Sequence, residues 1–207
     1  MIEDHPIFLK SISFIKSKLL KNNFSSIELQ VLERLIHTSG DFGIQKLLKF
    51  SKNACENGIL AIQNRAPILT DTDMAAAAVR SMAKNTHGNS VFSAKQWIDE
   101  DQIFPSTKTA YGIERAWLEI SQNYSIGNSP IVIFGSSPTA LEKLLDILPN
   151  SHTKPSLIIG MPVGFIGVEQ SKRRLVKSRF PYVVLNSTRG GAAMAGAAVN
   201  ALLRASV

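Results

Sequence analysis

The C-terminal part of the chain repeats one pattern three times: a short apolar run, a loop of small residues and then a helical stretch. The apolar runs cover residues 131–134, 157–159 and 182–185. Short buried strands that alternate with helices are typical of a parallel sheet. Ligands of such sheets bind outside the carboxyl ends of the strands, where these three loops lie. The pattern therefore predicts an architecture and the sheet edge at which a ligand should bind.

The first third of the chain has the spacing of helices instead. Apolar residues at helical spacing predict helices over about residues 7–21 and 27–37. Ser25 and Glu28 fit a capping box at the start of the second helix, and Gly40 fits the left-handed position just past its end. A third helix is expected over about residues 44–64.

The middle of the chain adds two strands, over residues 67–69 and 90–92, and two helices, over residues 74–82 and 107–124. Either Asp71 or Thr72 caps the first of these helices. We therefore expect a single domain over residues 1–207. Its fold class is a three-layer α/β/α arrangement, with a mostly parallel sheet of about five strands and a helical N-terminal third.

The formal net charge of +7 favours an anionic partner. The basic residues cluster around residues 16–21 and 172–179, and solvated helix faces explain both clusters most simply. Aromatic residues make up only 7% and are not interleaved with them, so we expect no nucleic-acid partner. No apolar stretch is long enough to span a bilayer, and no signal-type core follows the acidic start of the chain. We expect a cytoplasmic protein with no membrane partner.

Several common kinds of site are absent from the sequence. The four histidines lack metal-ligand spacing, and a single cysteine, Cys55, excludes an internal disulfide and a cysteine-based metal site. We expect no metal site. The loops match neither the dinucleotide-binding fingerprint nor the P-loop motif. Dinucleotide binding and P-loop phosphoryl transfer are therefore disfavoured.

Three features leave alternatives open. His37 ends an apolar helix, where the helix C-terminus favours a protonated imidazole, yet a structural role is favoured from position alone. Asp71 and Asp73 are candidates for a general base or a magnesium site, although helix capping and the helix dipole explain both. The glycine- and alanine-rich helix over residues 190–198 fits close packing best, and it also fits a backbone surface for a flat ligand or an oligomer interface.

Five segments together resemble the precorrin-8X methylmutase family of corrin-ring biosynthesis, and they are residues 35–41, 66–71, 137–141, 160–165 and 189–194. They occur in the family's order and span nearly the whole chain. The resemblance implies an isomerase that moves a methyl group from carbon 11 to carbon 12 of the tetrapyrrole, giving the hydrogenobyrinate or cobyrinate skeleton. It implies no organic cofactor, a polycarboxylate tetrapyrrole substrate with or without cobalt, and a homodimer.

The resemblance also implies roles for particular residues. His37 occupies the position of the family's histidine, which is thought to protonate or polarise the macrocycle. Ser11 and Arg34 match substrate-contacting positions. The family often carries arginine at the position of Lys108. Lysine keeps the positive charge but cannot form the two parallel hydrogen bonds that a guanidinium makes with a carboxylate. The remaining candidates for substrate contact lie in the matching segments and loops: Thr38, Ser136, Met161 and Gly190.

Two other functions compete with the methylmutase. A non-catalytic tetrapyrrole carrier on the same fold would bind the ring without moving a methyl group. A nucleotide-binding Rossmann-like enzyme rests on the strand–loop–helix pattern alone.

Overall fold

The computed structural model describes residues 5–99, 103–104, 106–124 and 128–207, so the expected start of the domain at residue 1 lies outside the described residues. The helices are α1 (Pro6–Lys18), α2 (Ser26–Ser39), α3 (Ala54–Gln63), α4 (Asp73–Asn85), α5 (Lys108–Ile120), α6 (Pro138–Ile147), α7 (Val168–Lys177) and α8 (Ala192–Ala205). The strands are β1 (Leu48–Phe50), β2 (Ile68–Thr70), β3 (Val91–Ser93), β4 (Ile131–Phe134), β5 (Leu157–Gly160) and β6 (Tyr182–Leu185).

The strands form one sheet in the order β1-β6-β5-β4-β2-β3. β1 is antiparallel to β6, and all other neighbours are parallel. β3 lies on one side of β2 and β4 on the other, so the direction of strand addition reverses between β2 and β4. An open α/β sheet forms its binding crevice at such a switch point. The predicted mostly parallel sheet is confirmed, with one antiparallel edge strand in addition.

Helices cover both faces of the sheet, which confirms the three-layer prediction. Alternate residues of β4 separate the two cores: Ile131 and Ile133 pack with α1–α4 and α8, whereas Val132 and Phe134 pack with α5, α6 and α7. This alternation follows from the two-residue period of a strand. Because both faces of the central strands are buried, their sequences are continuous apolar runs.

The single helix predicted over residues 44–64 is wrong in its first half. Phe42–Lys46 forms a short 3-10 turn, β1 follows, and α3 begins only at Ala54. The apolar residues of β1 pair with β6, more than a hundred residues later in the chain, so tertiary pairing overrides the local pattern. Gly58 lies inside α3, where an added Cβ would be 2.8 Å from the Leu157 side chain, so glycine allows α3 to approach β5.

The predicted helix caps are confirmed. The Glu28 N–H donates to Ser25 Oγ at 3.3 Å, and the Ser25 N–H donates to Glu28 Oε2 at 2.8 Å. Gly40 ends α2 with φ of 66° in the left-handed region. Thr72 is the N-cap of α4, which leaves the Asp71 carboxylate for another role.

The Asp71 carboxylate joins β2 to the loop after β4 at the switch point of the sheet. Its Oδ2 accepts hydrogen bonds from three backbone N–H groups, those of Gly135 at 3.0 Å, Ser136 at 2.7 Å and Ser137 at 2.9 Å. Its Oδ1 accepts from the Thr72 hydroxyl at 3.3 Å. Asp71 is only 2% exposed, so this carboxylate fixes the start of α6 from inside the molecule.

We predict that Asp71→Ala lowers the free energy of unfolding by about 3 kcal/mol. The substitution leaves buried N–H groups without an acceptor, and each such group costs about 1–3 kcal/mol. Asp73→Ala is the matched control, since Asp73 is exposed in the first turn of α4 and its loss should cost under about 1 kcal/mol. Urea unfolding of both variants measures the difference. Equal losses for the two variants would show that the Asp71 bonds contribute little.

Candidate active site

The loops at the carboxyl ends of β4, β5 and β6 form one continuous surface. Backbone hydrogen bonds join them: the Val163 N–H donates to the Gly135 carbonyl at 3.3 Å, the Gly164 N–H to the Thr188 carbonyl at 3.0 Å, and the Gly191 N–H to the Met161 carbonyl at 2.9 Å. The three repeats recognised in the sequence therefore meet at one edge of the sheet. A ligand lying on this edge would contact all three loops.

The N-terminus of α6 is already occupied by a carboxylate of the protein itself. The start of a helix offers free N–H groups to an anion, and Asp71 takes that place here, with the backbone N–H of Ser136 among its donors. Burial raises the pKa of the Asp71 carboxyl, and the three backbone N–H donors oppose this shift. The starts of α7 and α8, at Gly167 and Gly191, have no side-chain cap. Of the helix starts that follow the three loops, these two can accept an external anion.

His37 lies exposed in the last turn of α2, at the mouth of a cavity of about 480 Å³. Ser11 of α1 lines the same cavity, together with Phe42. The Phe8 ring meets the imidazole edge-on, with 5.1 Å between ring centroids. The imidazole is thus held by an aromatic contact on one side and open to a ligand on the other.

Arg34 lies one turn before His37 and contacts the same aromatic ring. Its guanidinium carbon is 4.8 Å from the centroid of Phe8, a cation–π distance. Arg34 lines a neighbouring cavity of about 410 Å³, together with Lys16 and Arg204. α1 therefore separates two cavities, with His37 facing one and Arg34 the other. Sequence reasoning missed Phe8, because an aromatic on an apolar helix face has no distinguishing pattern.

A buried carboxylate lies in the wall of the Arg34 cavity. Glu33 is 6% exposed and forms an ion pair with Lys16 at 3.8 Å. Burial raises the pKa of the Glu33 carboxyl, and Lys16 acts in the opposite direction.

Two predicted contact residues already use their hydroxyl donors within their own helices. Ser11 Oγ donates to the Ile7 carbonyl at 3.0 Å, and Thr38 Oγ1 donates to the Arg34 carbonyl at 2.8 Å. Their oxygen lone pairs can still accept a hydrogen bond from a ligand.

The end of α2 and the loop after β6 meet in the same chain. Arg189 forms an ion pair with Asp41, and Asp41 Oδ1 also accepts the Gly43 N–H at 2.7 Å. The residues just after α2 are therefore tied to the loop that carries Gly190, although more than a hundred residues separate the two in sequence.

Lys172 is fully buried beneath that loop. Its Nζ donates to the carbonyls of Ser187 at 2.7 Å and Arg189 at 2.6 Å. Burial lowers the pKa of Lys172 to about 8, and Glu169 acts weakly in the opposite direction. The sequence interpretation of residues 172–179 as a solvated face is wrong for this lysine. The signal was available, since Lys172 follows the buried Val168 by four residues and lies on the buried stripe of α7.

Lys108 lies at another part of the sheet edge, as the first and exposed residue of α5. It lines a small cavity of about 190 Å³ with Asp71, Thr72 and Lys95. Nearby, the hydroxyls of Thr107 and Thr139 are 2.7 Å apart and join the starts of α5 and α6. The structure thus brings Lys108 near the switch point and Ser136, while His37, Ser11, Arg34 and Thr38 form a second group around α1 and α2.

Met161 and Gly190 lie where the loops are most tightly packed. The Met161 side chain is fully buried. A Cβ on Gly190 would lie 2.0 Å from the Met161 carbonyl oxygen, so only glycine allows this close approach. Gly190 is half-buried and presents backbone to the surface, whereas Met161 is fully buried and has both of its backbone polar groups paired.

The small-residue helix α8 is a packing element, which confirms the favoured interpretation. A Cβ on Gly196 would lie 2.6 Å from the Cβ of Ala78 on α4. Most of α8 is buried within the chain, so this helix offers little surface to a partner subunit.

Among the described residues, no group of three His, Cys, Asp or Glu side chains could hold a metal ion. Every helix within those ranges is too short or too polar to cross a membrane.

Comparison with known proteins gives consistent matches. A family model for precorrin-8X methylmutase matches residues 6–205. A precorrin-8X methylmutase of Pseudomonas aeruginosa is 36% identical, with 82% of this chain and 80% of that protein covered. A cobalt-precorrin-8 methylmutase of Synechocystis is 30% identical, with coverage of 97% and 95%. The crystal structure of precorrin-8X methylmutase from Thermus thermophilus superposes with a TM-score of 0.83, 30% identity and coverage of 97% and 95%.

The lowered pKa of Lys172 predicts a pH-dependent stability. The pKa is about 8 in the folded protein and 10.5 in the reference state, so between these values the unfolded chain holds a proton that the folded protein has lost. Raising the pH across this window therefore stabilises the fold, by up to about 3 kcal/mol. The free energy of unfolding of the wild type minus that of Lys172→Met should increase with pH there.

Urea unfolding at several pH values measures this difference. Lys177→Met is the matched control, because it removes an exposed lysine from the same helix and should give a flat difference. If the free energy of unfolding of the wild type minus that of Lys172→Met stays constant or falls as the pH rises, the pKa of Lys172 is not lowered by folding.

Proposed function

The chain belongs to the precorrin-8X methylmutase family, and we propose that it moves a methyl group from carbon 11 to carbon 12 of a tetrapyrrole precursor, with His37 as the acid and base. It is an isomerase of cobalamin biosynthesis, an intramolecular methyl transferase. The product has the hydrogenobyrinate skeleton, or the cobyrinate skeleton when the substrate carries cobalt. Cobalt enters this proposal as part of the substrate.

The observation that carries the proposal is the position of His37. It is the one histidine in the last turn of α2, it is exposed at a cavity, and it lies in the segment that resembles the family's histidine motif. An imidazolium there can donate its proton to a ring C nitrogen of the bound tetrapyrrole. Methyl migration then follows, and return of the proton to His37 leaves an isomer of unchanged mass.

The substrate carries several carboxylates, and the chain offers complementary groups in both parts of the proposed site. Lys108 supplies positive charge at the sheet edge, where the N–H groups at the start of α8, next to Gly190, supply anion-binding dipoles. Arg34 supplies positive charge in the group around α1 and α2. Ser11, Thr38 and Ser136 complete the proposed contacts, and the buried Met161 supports them by accepting the Gly191 N–H with its carbonyl.

The flat face of the macrocycle needs an apolar surface. Val163, Phe165 and Ile166 project from the loop after β5 and are 50%, 87% and 90% exposed. Exposed apolar groups of this kind mark binding surfaces rather than parts of a core. They would lie against the ring while the charged groups reach its carboxylates.

We also propose that the protein is a cytoplasmic homodimer, as expected from the family resemblance. α1 supports this with three exposed apolar side chains, those of Ile7, Leu9 and Phe14. Sedimentation equilibrium should give twice the subunit mass of 22.6 kDa, and a monomer at micromolar concentration would contradict it.

His37→Ala should retain substrate binding and lower kcat by about 10² to 10⁴-fold, the usual cost of removing a general acid–base group. His152→Ala is the matched control, because His152 is exposed and outside the site. Absorbance during incubation with metal-free and cobalt-loaded precursors follows turnover, and mass analysis should find no mass change. Tight binding without any spectral change in the wild type would favour a tetrapyrrole carrier instead. Full turnover by His37→Ala would remove this residue from the mechanism.

Lys108→Met should raise KM about tenfold with little change in kcat, since it removes a charged contact to a substrate carboxylate. Lys108→Arg should restore the low KM, because arginine supplies the same charge with a bidentate fork. Steady-state kinetics of both variants test this. If Lys108→Met has the wild-type KM, Lys108 does not contact the substrate.

A further inference from the structure

The loop after β6 is held from below by one buried side chain. The Nζ of Lys172 donates to the carbonyls of Ser187 and Arg189, on either side of Thr188. The Thr188 carbonyl accepts the Gly164 N–H at 3.0 Å. Three successive carbonyls of this loop are therefore paired with donors from other elements, which leaves the loop little freedom to move.

Lys172 contacts the backbone of Arg189, and the side chain of Arg189 reaches the residues just after α2. There it forms the ion pair with Asp41, which lies four residues after His37. Asp41 is itself fixed as the N-cap of the 3-10 turn Phe42–Lys46, through its bond from the Gly43 N–H. A continuous set of contacts thus runs from Lys172 through Arg189 and Asp41 to the end of α2.

We propose that Lys172, Arg189 and Asp41 are positioning residues that hold His37 at a fixed place relative to the loop carrying Gly190. This inference rests on the proposed role of His37 as the proton donor. None of the three needs to touch the substrate. They keep the proton donor and the substrate-binding loop at a fixed distance and orientation. This matters because a displacement of about 1 Å can lower the rate 10²-fold.

An alternative role for Lys172 is stabilisation alone, through the packing of α7. That role predicts a lower unfolding temperature with unchanged kcat in the folded fraction. A positioning role predicts lower kcat with little change in KM, since binding survives while the reactive geometry does not.

The two surface members of the set are the variants to make first. Arg189→Gln and Asp41→Asn each should lower kcat about tenfold, with KM changed less than about threefold. The double variant should be no slower than either single one, because both remove the same interaction. Arg173→Gln is the matched control, since it breaks an exposed ion pair with Glu169 on α7 and should leave kcat unchanged.

Lys172→Met should show the same loss of kcat, and its combination with Arg189→Gln should again be non-additive. If Lys172→Met does not fold, as judged by circular dichroism, the two surface variants decide the question. Additive losses, losses confined to KM, or equal effects of Arg173→Gln would overturn the proposal.

A measurement without substrate separates this inference from the proposed function. The NMR resonances of the His37 imidazole should shift in Arg189→Gln and Asp41→Asn and stay in place in Arg173→Gln. If the His37 resonances do not move in either surface variant, the positioning role is refuted, whether or not the protein moves a methyl group. Shifted resonances in a protein that moves no methyl group would support positioning and reject the proposed function.

Discussion

The Asp71 carboxylate, bound by three backbone N–H groups, is the interaction on which the site depends. It lies at the one point where strand order reverses, between β2 and β4, and there it occupies the crevice in which many α/β proteins bind an external anion. The protein thereby fixes the start of α6 without a ligand. The space left for a ligand is displaced outward, to the surface between the cavity beside Lys108 and the loops after β5 and β6.

That displacement explains how one chain combines two unlike parts. The sheet edge supplies glycine-rich backbone and uncapped helix starts, which suit a large anionic ring. The helical N-terminal third supplies the imidazole of His37 and the guanidinium of Arg34, which both contact the Phe8 ring. The ion pair between Asp41 and Arg189 joins the two parts within a single chain.

Much of this could be predicted from the sequence, because the signals were local. The capping box at Ser25, the left-handed Gly40 and the buried runs of the central strands all follow from short-range patterns. β1 could not be predicted, since its partner β6 is distant in the chain. Phe8 was missed for a similar reason, as its neighbours are set by packing. Lys172 was predicted to be solvated because it stands in a basic run, although its place on the apolar stripe of α7 indicated burial.

The most direct test follows the methyl group itself. A precursor carrying ¹³C in the methyl group at carbon 11 can be incubated with the protein and observed by NMR, with the mass measured in parallel. The labelled signal should move to the position of a carbon 12 methyl group while the mass stays constant. A labelled methyl group that stays on carbon 11, in a precursor that is demonstrably bound, would contradict the proposed reaction.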